Sequence, residues 1–420
     1  MNARVAALVL LAPFVAVGCD RRRNVDEPFA DRIAEAVPEI EKATGLKFKR
    51  PPRLEMRSRD QVRDYLLKKF DEDMPAEQLR GEELAYKLFG LIPDTLDLRR
   101  FLVDLLTEQI LGYYDPATKV LYIVRDAPED LAGITVSHEL VHALQDQYAN
   151  LDSIQKARNN GDRQAAAQAV LEGQATWIQM KLALGGADLA TRIPGGWEQV
   201  RQQIRESQGS MPRFATAPMA IQESLIFPYL SGAEFVRRFS TRGDSRSPLN
   251  AMPSSTEQIL SEEAFFGDPP DEPTDIRLPG RPKAGEYEET VGEFGTRLFL
   301  YQHHRDIGAA SGAAQGWDGD RYRVVDAGRG RGRALIWATV WDTPVDAAQF
   351  VDVLGLAIGT RYRTSAPSVT PSGARTYAGA KRTVVVTPLE IAGRNVVVYV
   401  DVPTGASAAL IDPAWISVGR

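Results

Sequence analysis

Cysteine is nearly absent: Cys19 stands alone in 420 residues. No disulfide can close within the chain, and no zinc site can draw two or more thiolates from it. Histidine is scarce as well, with four in all, so any pair at a regular spacing carries information. No long basic block follows the first two dozen residues and the net charge is -6, which removes the electrostatic footprint of a nucleic-acid binder. The apolar run from Val5 to Val17 is too short to span a bilayer. What is present is globular: 44% hydrophobic, 25% charged and 8% aromatic residues. The length allows about two to three domains, and no internal repeat is visible.

The first residues read as a targeting segment. Arg4 precedes the apolar run, which ends in Ala16-Val17-Gly18 directly before Cys19; a short apolar stretch with small residues at its end is the pattern of a cleaved signal peptide. In that position Cys19 resembles the lipid-modified cysteine of bacterial lipoproteins, with Ala16 where leucine is commoner. The resemblance implies cleavage after Gly18 and a lipid anchor on Cys19. It thus implies a signal peptide over 1–18, a lipidated tether over 19–28, and export to the bacterial cell envelope, held at a membrane. A plain secretory signal or an uncleaved anchor is the alternative, and either also exports the chain.

Residues 29–100 form a mostly helical region, with Ile33, Val37 and Ile40 in step and Val62, Leu66 and Leu67 in a second run. Pro51-Pro52 and Pro93 punctuate it. Ile110 to Tyr114 and Val120 to Val124 are branched and aromatic runs around Asp115-Pro116-Ala117-Thr118, a hairpin signal. Helices are expected from about Leu131 to Tyr148 and from about Asp162 to Leu184. The stretch 241–285 is dense in Pro, Gly and acids and reads as mostly irregular, with Ser254-Ser255-Thr256-Glu257 turning into a short helix. From 311 to 420 the character is α+β: Tyr322 to Val325, Arg333 to Trp341, Thr383 to Thr387 and Asn395 to Val402 look like strands. A helix opens at Thr343-Pro344-Val345-Asp346 with its capping threonine, first-turn proline and acid three residues on. The expected fold class is α+β: a mainly helical core over 101–310 with an edge hairpin or small sheet, followed by this C-terminal segment. No clean linker separates the two, which favours an integrated C-terminal segment.

The pointed chemistry lies in Ser137-His138-Glu139-Leu140-Val141-His142-Ala143-Leu144-Gln145-Asp146. Histidines at i and i+4 stand one turn apart on one helical face, so both imidazoles reach one ion. Glu139, offset by about 100° on a 3.6-residue turn, points beside that ion, as a base acting on a metal-activated water must. His138, His142, Asp146 and Thr135 share one side of the helix; Ile134, Val141, Leu144 and Tyr148 share the other.

A catalytic zinc needs three protein ligands and an open position. Gln145 and Tyr148 stand where the metzincin pattern has glycine and its third histidine, so that pattern is excluded. A cysteine ligand is excluded because Cys19 is the lipid site. A carboxylate remains, and Glu172 is the only glutamate between Glu139 and Glu198. Ala165, Ala169, Ala175 and Thr176 share its helical face, small enough to let the zinc helix approach closely.

The stretch from His138 to Asp146, followed by a helix bearing Glu172, resembles the gluzincin (thermolysin-like) group of zinc metallopeptidases. With Gly112-Tyr113-Tyr114-Asp115, Glu172-Gly173-Gln174-Ala175-Thr176, Phe227-Pro228-Tyr229 and Ser255-Thr256-Glu257-Gln258 it is similar, more narrowly, to a little-characterised bacterial lipoprotein family of that type. The resemblance implies one Zn2+ held by His138, His142 and Glu172, with Glu139 polarising the water. It also implies that Val120 to Val124 is an edge strand open to an extended peptide. Thr176 sits where thermolysin-like enzymes carry an aspartate that orients a zinc histidine, so another acceptor must fix that ring, with Asp146 as candidate.

A second oxyanion donor is needed. Tyr229 is one candidate, though a buried tyrosine at this position also reads as core; His303 and His304 read better as the polar end of a helix beginning near Glu288. Trp317, Trp337 and Trp341 read as core. Three functions follow from these residues. The first is an envelope-tethered zinc endopeptidase acting on polypeptides. The second is an inactive or assembly-factor lipoprotein with a structural zinc site that binds protein partners, against which Glu139 speaks. The third is a zinc hydrolase of a non-peptide amide or ester.

Overall fold

The computed structural model describes residues 29–50, 52–151, 160–183, 202, 206, 211–243, 247–328 and 330–419. The expected signal segment over 1–18 and the expected tether with Cys19 lie outside the described residues. No helix among them is long and apolar enough to cross a membrane.

The chain opens with α1 (Ala30–Thr44), β1 (Arg53–Arg57), α2 (Arg59–Asp73), α3 (Ala76–Phe89) and α4 (Leu98–Gln109). Local signals set several of these starts. Ser58 and Gln61 form a reciprocal capping box on α2, and Asp97 caps α4 by accepting from Arg100 N–H. The hairpin follows as β2 (Gly112–Asp115) and β3 (Val120–Val124), then α5 (Glu129–Gln145) and α6 (Gly161–Ala183).

β1, β3 and β2 form a three-stranded sheet in that order, with β1 parallel to β3 and β2 antiparallel to it. Val120 to Val124 is therefore the central strand. The expectation of an edge strand fails because β1, in a region read as helical, pairs with it from Arg53↔Val120 to Arg57↔Val124. β3 also lacks a polar face because both faces are covered. Leu121 and Ile123 join Val136, Leu140, Val141 and Leu144 of α5 and Ile178 of α6 in one core. Val120, Tyr122 and Val124 face a second core with Val62, Leu66, Leu105, Trp177 and Leu230. Strands buried on both sides lose the apolar–polar alternation.

Two further helices, α7 (Pro212–Ala215) and α8 (Met219–Thr241), complete the helical core. α6 packs most closely on α8, not on α5. A Cβ at Gly173 would lie 2.1 Å from Gly232 carbonyl carbon, and one at Gly232 would lie 1.9 Å from Ala169 carbonyl oxygen. Ala169 and Gly173 of α6 thus serve the α8 contact, while Ala175 lies in the core that Val136, Leu140, Val141 and Leu144 of α5 line.

The acidic, proline-rich stretch contains α9 (Thr256–Leu260), α10 (Glu262–Phe266) and the short strand β4 (Ile276–Arg277). Beyond it come β5 (Tyr287–Glu289), α11 (Gly292–His304), α12 (Ile307–Ala314), β6 (Trp317–Asp326), β7 (Arg333–Trp341), α13 (Pro344–Tyr362), β8 (Ser368–Val369), β9 (Arg375–Ala378), β10 (Arg382–Ile391), β11 (Arg394–Pro403) and β12 (Ser417–Val418). β5 to β11 build a seven-stranded antiparallel sheet of order β5-β6-β7-β11-β10-β9-β8.

One face of this sheet carries Trp337, Trp341 and Tyr399 against Phe299 of α11, Phe350 and Leu354 of α13 and Phe89 of α3. The other, with Ile336, Val340 and Val398, is covered by Ile276, Leu278 and Ile416. The three tryptophans are core, as the sequence indicates. α13 starts at the Thr343–Asp346 capping box. Because β5 and α11 belong to this layer, it begins ahead of residue 311, and Phe89 locks it to the N-terminal helices. The fold is mixed: a helical core with a small sheet, and a larger antiparallel sheet with helices on one face.

Candidate metal centre

The polar residues Thr135, His138, Glu139, His142 and Gln145 of α5 are buried, so they meet protein rather than an open cleft, while Leu131, Gly133, Ile134 and Ser137 are half-buried. The helix ends at Gln145, a turn before the expected Tyr148, which is exposed. His138 and His142 sit one turn apart with ring centroids 4.9 Å from each other. Glu172 comes in from α6, its Oε2 lying 3.2 Å from His138 Nε2 and 3.4 Å from His142 Nε2. One ligand atom from each of the three residues lies within 4.8 Å of the others. The exposures are 1% for His138, 2% for His142, 1% for Glu172 and 0% for Glu139.

The far side of each ring is fixed by an amide. His142 Nδ1 lies 2.8 Å from Gln145 Oε1 and His138 Nδ1 lies 3.1 Å from Gln179 Oε1. Gln145 is itself oriented, since its Nε2 donates to Leu171 carbonyl oxygen and to Gln174 Oε1, each at 3.0 Å. Amide oxygens can only accept, so both Nδ1–H groups donate outward and both Nε2 atoms are turned towards Glu172. Second partners of this kind set tautomer and ring plane at metal sites.

Glu139 is held at one oxygen only. Its Oε2 accepts the Tyr114 backbone N–H at 2.6 Å, while Oε1 is buried without a hydrogen-bond partner. His142 Nε2 is likewise buried without one. Unsatisfied buried polar atoms are rare and costly, and here two of them border one carboxylate–imidazole cluster. Two nitrogens and a carboxylate oxygen are a donor set that suits zinc, so the residues present fit that ion.

Electrostatics agree with the geometry. Burial raises the Glu139 carboxyl above its ordinary value, against the lowering pull of the two histidines and the Tyr114 N–H. Burial would also raise Glu172, but the neighbouring His142 and His138 override it and hold that carboxyl low. His142 goes the other way: burial lowers it, and Glu172 with Glu139 carries it above the usual histidine range. The cluster keeps a positive charge between its carboxylates, a place that a divalent cation fills better than a proton.

Other expected site residues fall elsewhere. Asp146 does not orient a histidine. Past the end of α5 it turns to the hairpin, where its Oδ2 accepts from Tyr114 Oη at 2.7 Å and Lys119 Nζ at 2.6 Å. Thr176 is buried with its Oγ1 unpartnered and contacts neither ring by a hydrogen bond. Tyr229 lies on α8, buried, its ring stacked on that of His138 at 6.1 Å between centroids and 29° between planes. His303 is remote from the cluster: its Nε2 donates to Phe89 carbonyl oxygen at 2.8 Å in the sheet layer. His304 ends the same helix, which starts at Gly292 rather than near Glu288. Gln145 and Gln179 were not singled out from the sequence. Gln145 had a signal, standing three residues after His142 and so on a neighbouring helical position; Gln179 had none.

Among known proteins, a family model described as a domain of unknown function (DUF8575) matches residues 280–411. That span covers β5 to β11 and contains none of His138, Glu139, His142 and Glu172. No curated protein matches. A protein from Chloroflexus aurantiacus, its crystal structure described as that of "a putative hydrolase with a novel fold", is similar over 56% of this chain and 87% of its own, with 20% identity and a TM-score of 0.33. At that score the fold and chemistry of this chain rest on its own residues.

Proposed function

We propose that this chain is a zinc-dependent hydrolase of peptide bonds, of the gluzincin type, acting on polypeptides in the bacterial cell envelope. The observation that carries the reading is the convergence of His138, His142 and Glu172 beside a glutamate with one buried, unpartnered oxygen. A structural zinc site has no use for Glu139; a hydrolytic one requires a base there.

His138 Nε2, His142 Nε2 and a Glu172 oxygen would hold the ion. Zinc in such a site supplies Lewis acidity, making water acidic enough to ionise near neutral pH and stabilising charge on the attacked carbonyl oxygen. The rest falls to the chain. Glu139 receives the proton of the attacking water at Oε1 and delivers it to the leaving amine, while the Tyr114 N–H keeps its other oxygen in place. A carboxyl raised by burial suits both halves of that transfer. Gln145 and Gln179 keep the rings from turning. Tyr229, stacked on His138, is the candidate for the second oxyanion donor. Export and anchoring through Cys19 are part of the same proposal and rest on the signal-like first residues.

One observation favours a second reading. The three ligands are at most 2% exposed, the closure expected of a structural site in a binding or assembly protein. Metal analysis with a peptide-library assay separates the two. About one zinc per chain, lost in Glu172→Ala, with cleavage that Glu139→Gln abolishes, supports the hydrolase. Tight zinc without cleavage supports the structural site, and absence of zinc at neutral pH overturns both.

A further inference from the structure

A second group of carboxylates lies apart from the histidines, on different elements. Glu257 is on α9, Asp271 is in the loop after α10 and Asp342 follows the last residue of β7. One oxygen of each lies within 4.8 Å of the others. Glu257 is 5% exposed, and its Oε2 is buried without a hydrogen-bond partner. Asp271 is half-buried and Asp342 is open to solvent, so the group has one deep wall and one wet mouth.

The backbone beneath these side chains is held firmly. Ser255 Oγ caps α9 by accepting from Gln258 N–H at 3.2 Å. Asp271 N–H donates to Ala264 carbonyl oxygen at 2.8 Å, and its own carbonyl accepts from Gln258 Nε2 at 2.6 Å. Asp342 N–H donates to Gly316 carbonyl oxygen at 2.9 Å. Glu257 Oε2 is free of other work while the backbone that carries the three carboxylates is fixed. The nearby cation, Arg394, is engaged by Asp318 at 3.1 Å.

Three carboxylates gathered this closely, one of them buried, repel one another once ionised, and a dication between them would turn that repulsion into attraction. The donors are all oxygen, which selects a hard ion over zinc. The three carboxylates come from a short helix, a loop and a strand end, and the exposed Asp342 leaves further positions to solvent. Calcium accepts such a shell, whereas magnesium demands near-ideal octahedral geometry.

We propose that Glu257, Asp271 and Asp342 form a calcium site that staples the α9–α10 segment to the end of β7, joining the acidic stretch to the large sheet. The site is independent of the histidine centre. The test uses the full chain loaded with zinc and freed of other metals, titrated calorimetrically with CaCl2 and in parallel with MgCl2, and melted with and without CaCl2. The expected result is one Ca2+ per chain, at least tenfold weaker binding in Glu257→Gln and in Asp342→Asn, a calcium-dependent rise in Tm in the wild type alone, and unchanged zinc content in both variants. Wild-type protein that takes up no Ca2+, that takes up Mg2+ in its place, or that is matched by both variants overturns the proposal. Should Glu257→Gln fail to fold, Asp342→Asn, altered at the solvent-exposed ligand, decides alone.

Discussion

The backbone N–H of Tyr114 donates to Glu139 Oε2 at 2.6 Å, so a strand rather than a side chain holds the proposed catalytic base. Main-chain donors are fixed by the sheet and do not swing, which leaves Oε1 as the oxygen available for proton transfer. Removing that transfer should leave the metal site intact. Glu139→Gln is expected to keep about one zinc per chain while lowering the rate of peptide cleavage by about 10²- to 10⁴-fold. Metal analysis beside a quenched-peptide assay checks it; cleavage at the wild-type rate would remove Glu139 from the chemistry.

Gln145 links His142 to Leu171 and Gln174, spanning the two helices that carry the ligands. Gln145→Ala should weaken zinc binding by about 10- to 100-fold, the usual cost of losing a partner behind a metal-bound histidine. Competition with a chromogenic chelator measures it. Asp146→Ala, which touches Tyr114 and Lys119 instead, should leave zinc affinity within about twofold of wild type, in keeping with the small effect of a change away from the ligands.

Gly173 meets Gly232 backbone to backbone, with no flexible side chain in between to give way. Gly173→Ala should therefore destabilise the fold by about 3 kcal/mol, read by urea unfolding. A change under about 0.5 kcal/mol, the range of ordinary surface substitutions, would show that the helices separate freely there.

Stability should also fall as pH rises. Burial, eased by Arg297 and reinforced by Asp162, raises Glu293 from 4.5 to about 8. Its folded form holds a proton that the unfolded chain has already released. The resulting stabilisation is fully present below pH 4.5 and is lost as pH climbs through 8. Unfolding free energies with chelator present should decline over that window in the wild type and decline less in Glu293→Gln.

Short-range patterns in the sequence carried much of this structure. The i, i+4 histidines placed α5, the capping box placed α13, and the branched runs placed β3, β7 and β11 because each signal is complete within a few residues. Glu172 was reachable by elimination, as one glutamate in a long interval. What was illegible depends on distant partners. β1 is a five-residue segment with three charged residues, and only its pairing with β3, more than sixty positions later, makes it a strand. That pairing turned the expected edge strand into a central one. Asp146 missed the histidines although its backbone is still helical and its N–H donates to His142 carbonyl oxygen: its carboxylate is taken by Tyr114 and Lys119 of the hairpin, partners that no local feature announces. The small residues of α6 announced close contacts, but the partner of Ala169 and Gly173 was Gly232 on a helix still to come.

β3 carries a final consequence. Successive N–H groups of a strand point to opposite edges, and opposite Leu121 the outward one belongs to Tyr114 and meets Glu139. A one-residue slip of β2 would turn each of its side chains to the other face and bring a larger residue into the slot of Gly112, where a Cβ would already lie 2.6 Å from Thr135 Cγ2. The aim of the base is thus a digital property: strand alignment sets it in whole-residue steps, and Gly112 guards the step.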